Sequence, residues 1–584
     1  MYALLQGPLV KSADLNPWLR CQNLLPALEA DSVNGIMGAH HTERGADMSF
    51  KTNTYQQLTL NDSYAFLSDR CKKIIDHSWA KSFADIVFPA IDENKFAVLY
   101  SDQKFSRPNT PVNVVIGALM LKEQMQLSDE ELTESIWCDI RFQYALHTTG
   151  LKEQPVSDRT FSRFRERVLR YETETGNNLL DEEMSHLTDV YARYMNLNSN
   201  IRRMDSLMIA SNCKRMSRLE IIYTTVSNAV RLFHSLGMDE QLPPELLHYL
   251  DDDDRNEVIY YCKGEDVTSR LDKVISDAVT MKNLMNGDEW LELSEYQLLI
   301  RVLKEQTDED SDGKVTAKPK SEISPASLQN PSDPDATYRK KAGKDHKGYV
   351  GNIVETIGEN GDSLITEASY EANSHSDSTF CKEHLSKRDD TSEHETIIAD
   401  GAYGGVENQK LAESKNVTLV TTALTGKETD PIFAEFKLSE DGKKVVSCPC
   451  GHSPIKTTYY PKTGMCRALF PVDCCEHCPN RDRCKVKQQR KNYAVHVSSK
   501  MVSRAEYRKT LSSEEYKALT RMRNAIEGIP SVLRRRYHVD QIPVRGLQRS
   551  RFFFILKVAA YNFNKLNNHY KRQQVDSALA AANA

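Results

Sequence analysis

The sequence predicts an α/β protein: a mixed sheet flanked by helices, with a helical region in front and two insertions, one helical and one rich in cysteine. Three observations predict it. Between about 83 and 172 apolar residues recur at helical spacing. From 200 to 424 short runs of β-formers are joined by turn signals and a helix-like run. Seven of the thirteen cysteines, Cys448, Cys450, Cys466, Cys474, Cys475, Cys478 and Cys484, crowd into one short region.

Taken in order, residues 1–50 show no clear period and are assigned no fold, and residues 51–195 form a helical N-terminal domain. "VNVVIGALMLKEQM" and "ELTESIWCDIRFQYAL" carry the helical pattern, and Ser128 stands three residues before Glu131 as in a capping box. "VSDRTFSRFRERVLRY" (156–171) has a Ser-Asp start and then Arg159, Arg163, Arg165 and Arg167. It reads as the recognition helix of a helix-turn-helix, with Arg159 and Arg163 reaching DNA. A solvated basic face is equally consistent with it.

Strands begin at "NIRRMDSLMIAS" (200–211) and resume at 348–370, a hairpin turning on Glu359-Asn360-Gly361-Asp362. "ETIIAD" (395–400) is a short strand, "VENQKLAES" (406–414) a helix and "NVTLVTTAL" (416–424) another strand. Three strands, helix, strand, helix, strand is the order of a mixed α/β sheet. The core thus divides into 196–213 and 336–430. Residues 214–335 are a helical insertion that leads into an acidic flexible linker over 307–335. Residues 431–497 are the cysteine-rich insertion, 498–572 the C-terminal helices and 573–584 a disordered tail.

Charge is segregated. The net charge is −6, yet from Arg481 to Arg572 there are 23 Lys or Arg against 6 Asp or Glu, a difference of 23 − 6 = +17. The compensating acid lies between about 239 and 312, including "DDDD" at 251–254. This is the signature of a basic binding face beside a solvated acidic insertion. No apolar run is long enough to span a bilayer and the start lacks a secretory pattern, so the expectation is a cytoplasmic protein without a membrane partner. Clustered cysteines in that compartment suggest metal, not disulfides.

Three carboxylates stand out. Asp205 lies inside a strand between Met204 and Leu207, Asp400 ends a strand before Gly401, and Glu527 sits among Arg523, Arg534, Arg535 and Arg536. Singly, Asp400 reads as a turn-former and Asp205 as an edge residue. Together they would make an oxygen-rich site for Mg2+ or Mn2+, and two such ions suit in-line phosphoryl transfer. The arginines would hold the phosphates of the polyanion. Pro530 should kink or end the helix just after Glu527.

"RNAIEGIPSVLRRRYHVDQIPVRGLQRSRFFFILKVAAYNFNKL", with "IRRMDSLMIASN" and "IIADGAYGG" upstream, closely resembles the DDE transposases of bacterial insertion sequences, most of all the eleven-eighty-two group. The resemblance runs from about 83 to 570. It implies an RNase H-like core with Asp205 on the first strand, Asp400 after the fourth and Glu527 on a late helix, all three ligating two Mg2+ (or Mn2+) ions. In the family's Tyr, Arg, Glu, Lys signature, Arg523 and Glu527 fit, Thr520 replaces the tyrosine and Arg534 the lysine. The stretch 332–349 becomes the approach to the second strand, with Lys340, Lys341 and Lys347 among its DNA-contacting cations.

In "CPCGH…CCEHCPNRDRC" the spacing is that of a structural zinc site. The resemblance favours Cys448, Cys475, Cys478 and Cys484 as thiolate ligands of Zn2+ in a knuckle-like insertion, with Cys450, Cys474, His452 and His477 competing. The implied activity is binding of terminal inverted repeats, metal-dependent strand cleavage and strand transfer. The implied partners are double-stranded element ends, target DNA and further copies of the chain, as a homodimer or higher oligomer on the bacterial nucleoid. Two alternatives stay open: a catalytically silent or domesticated DNA-binding protein, and a metal-dependent nuclease without strand transfer.

Overall fold

The computed structural model describes residues 48–54, 62–101, 108–151, 153–261, 266–311, 313–341, 343–389, 392–421 and 429–583. The unassigned 1–47 and the end of the strand reading over 416–424 therefore lie outside the described residues. In the N-terminal region helix α1 (Val112–Met125) is buried over nearly its whole length: its first three turns are almost wholly apolar, and buried Glu123 is answered by Lys557 at 2.6 Å. Helix α2 (Asp129–Cys138) starts on the expected box: Glu131 N–H donates to Ser128 Oγ at 3.1 Å and Ser128 N–H to Glu131 Oε2 at 2.7 Å. Helices α3 (Asp158–Thr175) and α4 (Leu179–Tyr194) follow.

The sheet contains β1 (Ile201–Ala210), β2 (Thr337–Lys341), β3 (Lys344–Ile357), β4 (Ser363–Ala372), β5 (Glu395–Ala399) and β6 (Val417–Thr421). Long β3 runs antiparallel to β1 on one edge and to β2 and then β4 on the other; β5 is parallel to β1, and β6 to β5. The β3–β4 hairpin turns where expected, with Gly361 at φ +82, a conformation glycine adopts without penalty. Between sheet strands lie helices α8 (Asp377–Ser386) and α9 (Val406–Ser414), the latter at the bounds the sequence predicts.

Side-chain alternation along β1 divides its neighbours. Met204 and Met208 join the core beneath α8 and α9, whereas Leu207 and Ile209 join the core on the opposite face. That second core is continuous from the N-terminal helices (Phe83, Leu119, Phe161) through the sheet (Ile353) to Ile526, Phe554 and Phe563. The 51–195 region therefore shares its core with the sheet, where a separate domain was expected. The physical reason is helix α13 (Leu547–Asn583), whose "FFFILKVAAYNF" is apolar apart from the bonded Lys557 and Asn562 and packs against α1, α4 and β4. Residues 573–583, read as a disordered tail, continue this helix.

The insertion has its own core, built from α5 (Arg218–Ser235), α6 (Asp266–Leu284) and α7 (Ser294–Gln306) around Phe233 and Trp290, whose rings stack at 4.8 Å. The 307–335 stretch, read as a flexible linker, instead packs. Thr307–Glu309 pairs with Val315–Ala317, Leu328 enters the insertion core, and buried Asp333 accepts from Tyr349 Oη at 2.5 Å and Gly546 N–H at 3.0 Å. A few apolar anchors among Ser, Pro and Lys suffice to fix it.

The cysteine region forms an antiparallel sheet ordered β7 (Lys456–Tyr460), β8 (Met465–Phe470), β10 (Tyr493–Val497), β9 (Lys487–Gln488), over a third small core. Helices α10 (Ser499–Leu511) and α11 (Glu514–Arg523) lead to a 3-10 turn, Asn524–Glu527, and α12 (Gly528–Arg535). The helix breaks at Glu527, as Pro530 requires. Pro530 lies in the first turn of α12, where the N–H it lacks has no intrahelical acceptor. Among the described residues no helix is long and apolar enough to cross a membrane.

Candidate active site

Asp205 and Asp400 are neighbours because β1 and β5 are parallel. Arg203 pairs with Ile398, so each aspartate lies two residues further along its own strand line. Asp205 is buried and accepts from Ser206 N–H at 2.9 Å; Asp400 accepts from Ala402 N–H at 2.7 Å as β5 turns away. Burial pushes the Asp205 carboxyl up and Asp400 adds to the rise, while Ser206 N–H, Arg523 and Lys341 pull it down. Tyr403 is fully buried beside the group, with Oη donating to Asn352 Oδ1 at 2.7 Å.

Glu527 arrives from the other side. The face of β1 carrying Arg203 and Asp205 meets the 524–527 turn, and Arg203 clamps it: Nη1 donates to the Met522 carbonyl at 2.7 Å, while Nε and Nη2 donate to Glu355 Oε2 at 2.9 and 2.5 Å. Arg534 adds a second strap, Nη2 to the Met208 carbonyl at 2.8 Å. Glu527 itself is 62% exposed and pairs with Arg523 Nη1 at 3.2 Å. Asp205 and Asp400 are thus brought together, whereas Glu527 pairs with Arg523, whose charge also acts on Asp205. Among the described residues no group of three or more His, Cys, Asp or Glu is arranged to hold a metal ion.

The other cations divide. On α3, Arg159 and Arg163 are exposed, whereas Arg165 pairs with Asp129 and Arg167 lies over the Tyr100 ring at 4.9 Å. Lys340 is exposed on β2, and Lys347 turns inward, its Nζ donating to the Met216 carbonyl at 2.9 Å. Arg535 and Arg536 face solvent. Sequence reasoning missed Arg203, Glu355, Tyr403 and Asp377. Charged residues inside apolar strands were the available signal for the first two; Asp377 stands in a Ser-Asp-Ser-Thr run with the local pattern of a helix start.

Cys448, Cys450, Cys474, Cys475, Cys478 and Cys484 line one cavity with Phe436, Phe470 and Val495. Cys450 Sγ lies 3.5 Å from Cys478 Sγ. Burial, then the neighbouring thiols, push Cys475 up to about 11 and Cys484 up to about 12. His452 and His477 are exposed. The cysteines converge on this cavity, but among the described residues no three of them are arranged to hold a metal ion.

Residues 447–567 match the family described as Transposase DDE domain, and residues 72–167 match Transposase domain (DUF772). The first match contains Glu527 and its arginines; Asp205 and Asp400 lie outside it. These two matches support a DNA transposase. More particularly, both families are typical of bacterial insertion-sequence transposases, and the chain is similar to them over those residues. The cryo-EM structure of a piggyBac transposase synaptic complex with hairpin DNA is similar at 9% identity and a TM-score of 0.26, over 86% of this chain and 77% of that one. No curated protein matches the chain.

Proposed function

We propose that the chain is the transposase of an insertion sequence, which binds terminal inverted repeats and catalyses metal-dependent strand cleavage and strand transfer. The observation that carries this reading is the placement of Asp205 and Asp400 two residues beyond the paired Arg203 and Ile398 of adjacent parallel strands, near enough for Asp400 and Arg523 both to act on the Asp205 carboxyl, while Arg523 pairs with Glu527. The strand order β4-β3-β1-β5-β6, with β5 and β6 parallel to β1, supports an RNase H-like core.

In this reading Asp205, Asp400 and Glu527 hold Mg2+ or Mn2+, and their hard carboxylate oxygens fit such ions. When bound, two ions supply charge neutralisation and activation of the attacking oxygen. The chain's own residues do the rest. Arg203 and Arg534 fix the turn that carries Glu527. Arg523 releases Glu527 and turns its planar fork to a phosphate. Arg159, Arg163, Lys340, Lys341, Arg535 and Arg536 grip the DNA backbone; Arg534 and Lys347 brace backbone carbonyls as placed. Hydrolysis frees a 3′ hydroxyl, which then attacks target DNA, and both steps rest on positioning and charge, not on a covalent enzyme intermediate.

The cysteine region, in the same reading, folds around a structural Zn2+ held by Cys448, Cys475, Cys478 and Cys484, with Cys450 the nearest competitor. The chain works on DNA as a homodimer or higher oligomer in the bacterial cytoplasm. The test is a plasmid carrying the DNA that flanks its own gene, incubated with the chain and Mg2+. Cutting and joining at the flanks is expected, and abolished by Asp205→Asn. Cutting without joining would identify a nuclease, and binding without cutting a silent relative.

A further inference from the structure

Beside the aspartates, on the α8 side of β1, lies a charged cluster of which the proposed function uses only Lys341. Asp377 is only 1% exposed. Its Oδ1 accepts from Ser206 Oγ at 3.0 Å and faces Arg339 Nη2 at 3.2 Å. Its Oδ2 faces Lys341 Nζ at 3.6 Å and has no hydrogen-bond partner. Lys341 Nζ also donates to Ser206 Oγ at 3.3 Å, and Arg339 Nη1 donates to the His375 carbonyl at 3.1 Å. Arg339 and Lys341 reach one carboxylate because, two apart on β2, they share a face.

A carboxylate is buried at little cost only when its charge is answered. Here two cations answer one acid, so the cluster keeps an excess positive charge. That charge sits next to Ser206, the neighbour of Asp205, and Lys341 is still 36% exposed. Lys341 is near enough to Asp205 to lower its carboxyl, so a lysine left loose at this place could turn onto that acid. Asp377 and Ser206 instead hold its ammonium in place while the side chain stays partly exposed.

We propose that Asp377 is a positioning residue: it pins Lys341, with Arg339, as a preset clamp for a DNA phosphate lying across Asp205 and Asp400. The proposal rests on the transposase reading. It makes an unusual demand on sign. Removing a negative charge near a polyanion should by Coulomb's law alone tighten binding; removing a positioning carboxylate should weaken it.

The test uses the full chain and a mixed-sequence DNA duplex, with affinity read by fluorescence anisotropy over a series of salt concentrations. Asp377→Asn keeps size and the acceptor for Ser206. It is expected to weaken binding about 5-fold and to flatten the log–log salt slope by about 0.9, the loss of one phosphate contact. Lys341→Met should do the same, and the double variant should lose no more than Lys341→Met alone. Unchanged or tighter binding by Asp377→Asn, or losses that multiply in the double variant, would overturn the proposal. If Asp377→Asn does not fold, Ser206→Ala is read instead: it loosens the cluster without changing charge, and should weaken binding about 2-fold if the cluster positions Lys341 and leave it unchanged if the cluster is only structural. Failure of the parent reading shows separately, as Mg2+-dependent plasmid cleavage that survives Asp205→Asn.

Discussion

Replacing Arg203 with methionine removes one end of a buried ion pair and one of the two straps on the Glu527 turn. Arg203 and Glu355 face each other across β1 and β3, with side chains 8% and 2% exposed. Without the guanidinium, Glu355 is a buried carboxylate with no counter-ion, a change worth roughly 3–5 kcal/mol. The freed Met522 carbonyl adds about 1 kcal/mol. Urea unfolding of Arg203→Met should therefore show a loss of about 4–6 kcal/mol. Arg203→Met with Glu355→Leu replaces the pair by apolar groups of similar volume and should recover all but about 1–2 kcal/mol. Stability and positioning then separate. The Met522 carbonyl is unheld in the double variant too, so hydrogen exchange at 523–527 should stay fast and plasmid cleavage stay slow although the fold is restored. A single-variant cost under about 1 kcal/mol, or exchange at 523–527 unchanged in the double variant, refutes the clamp.

The remaining expectations concern chemistry, pH and metal. Asp400→Asn and Glu527→Gln should each slow Mg2+-dependent cleavage by about 100-fold or more, some 2.7 kcal/mol of barrier, without weakening duplex binding. Wild-type rates in both variants would remove these residues from the site. Buried His384 lies between Glu367 at 3.0 Å and Glu395 at 3.2 Å; burial alone would lower its pKa, but the two carboxylates raise it to about 9. A raised folded-state value means that the stabilisation is fully present below about pH 6.5 and is lost as pH rises through about 9. Urea midpoints should fall across that window in the wild type and flatten in His384→Gln. Elemental analysis of the purified chain should find about one zinc per chain, reduced in Cys475→Ser and Cys484→Ser. Chelation should open 431–497 to protease ahead of the main sheet.

Much of the sheet was legible because each strand carries its own local signal: β-formers bounded by turns, a Glu-Asn-Gly-Asp hairpin, a nine-residue helix between two strands. What local pattern cannot carry is which surfaces meet. The N-terminal helices read as a domain because their period is self-contained; that they share one core with β1 and β3 depends on α13, more than 350 residues later, whose apolar residues face both. The 307–335 stretch misled for the opposite reason: its composition is that of a linker, and single residues such as Leu328 and Asp333 anchor it. The site divides along the same line. Pro530 announces in sequence that the helix cannot run through Glu527, and it does not. Asp377 announces nothing, because Ser376-Asp377-Ser378-Thr379 is what an ordinary helix start looks like, and Ser376 does cap α8 by accepting from Thr379 N–H. The cap brings the carboxylate to the sheet, and the pleat of β2 brings two cations down upon it. A residue of this kind carries no motif, since its partners come from strands far from it in sequence, and only the two cations gathered on its buried carboxylate mark it.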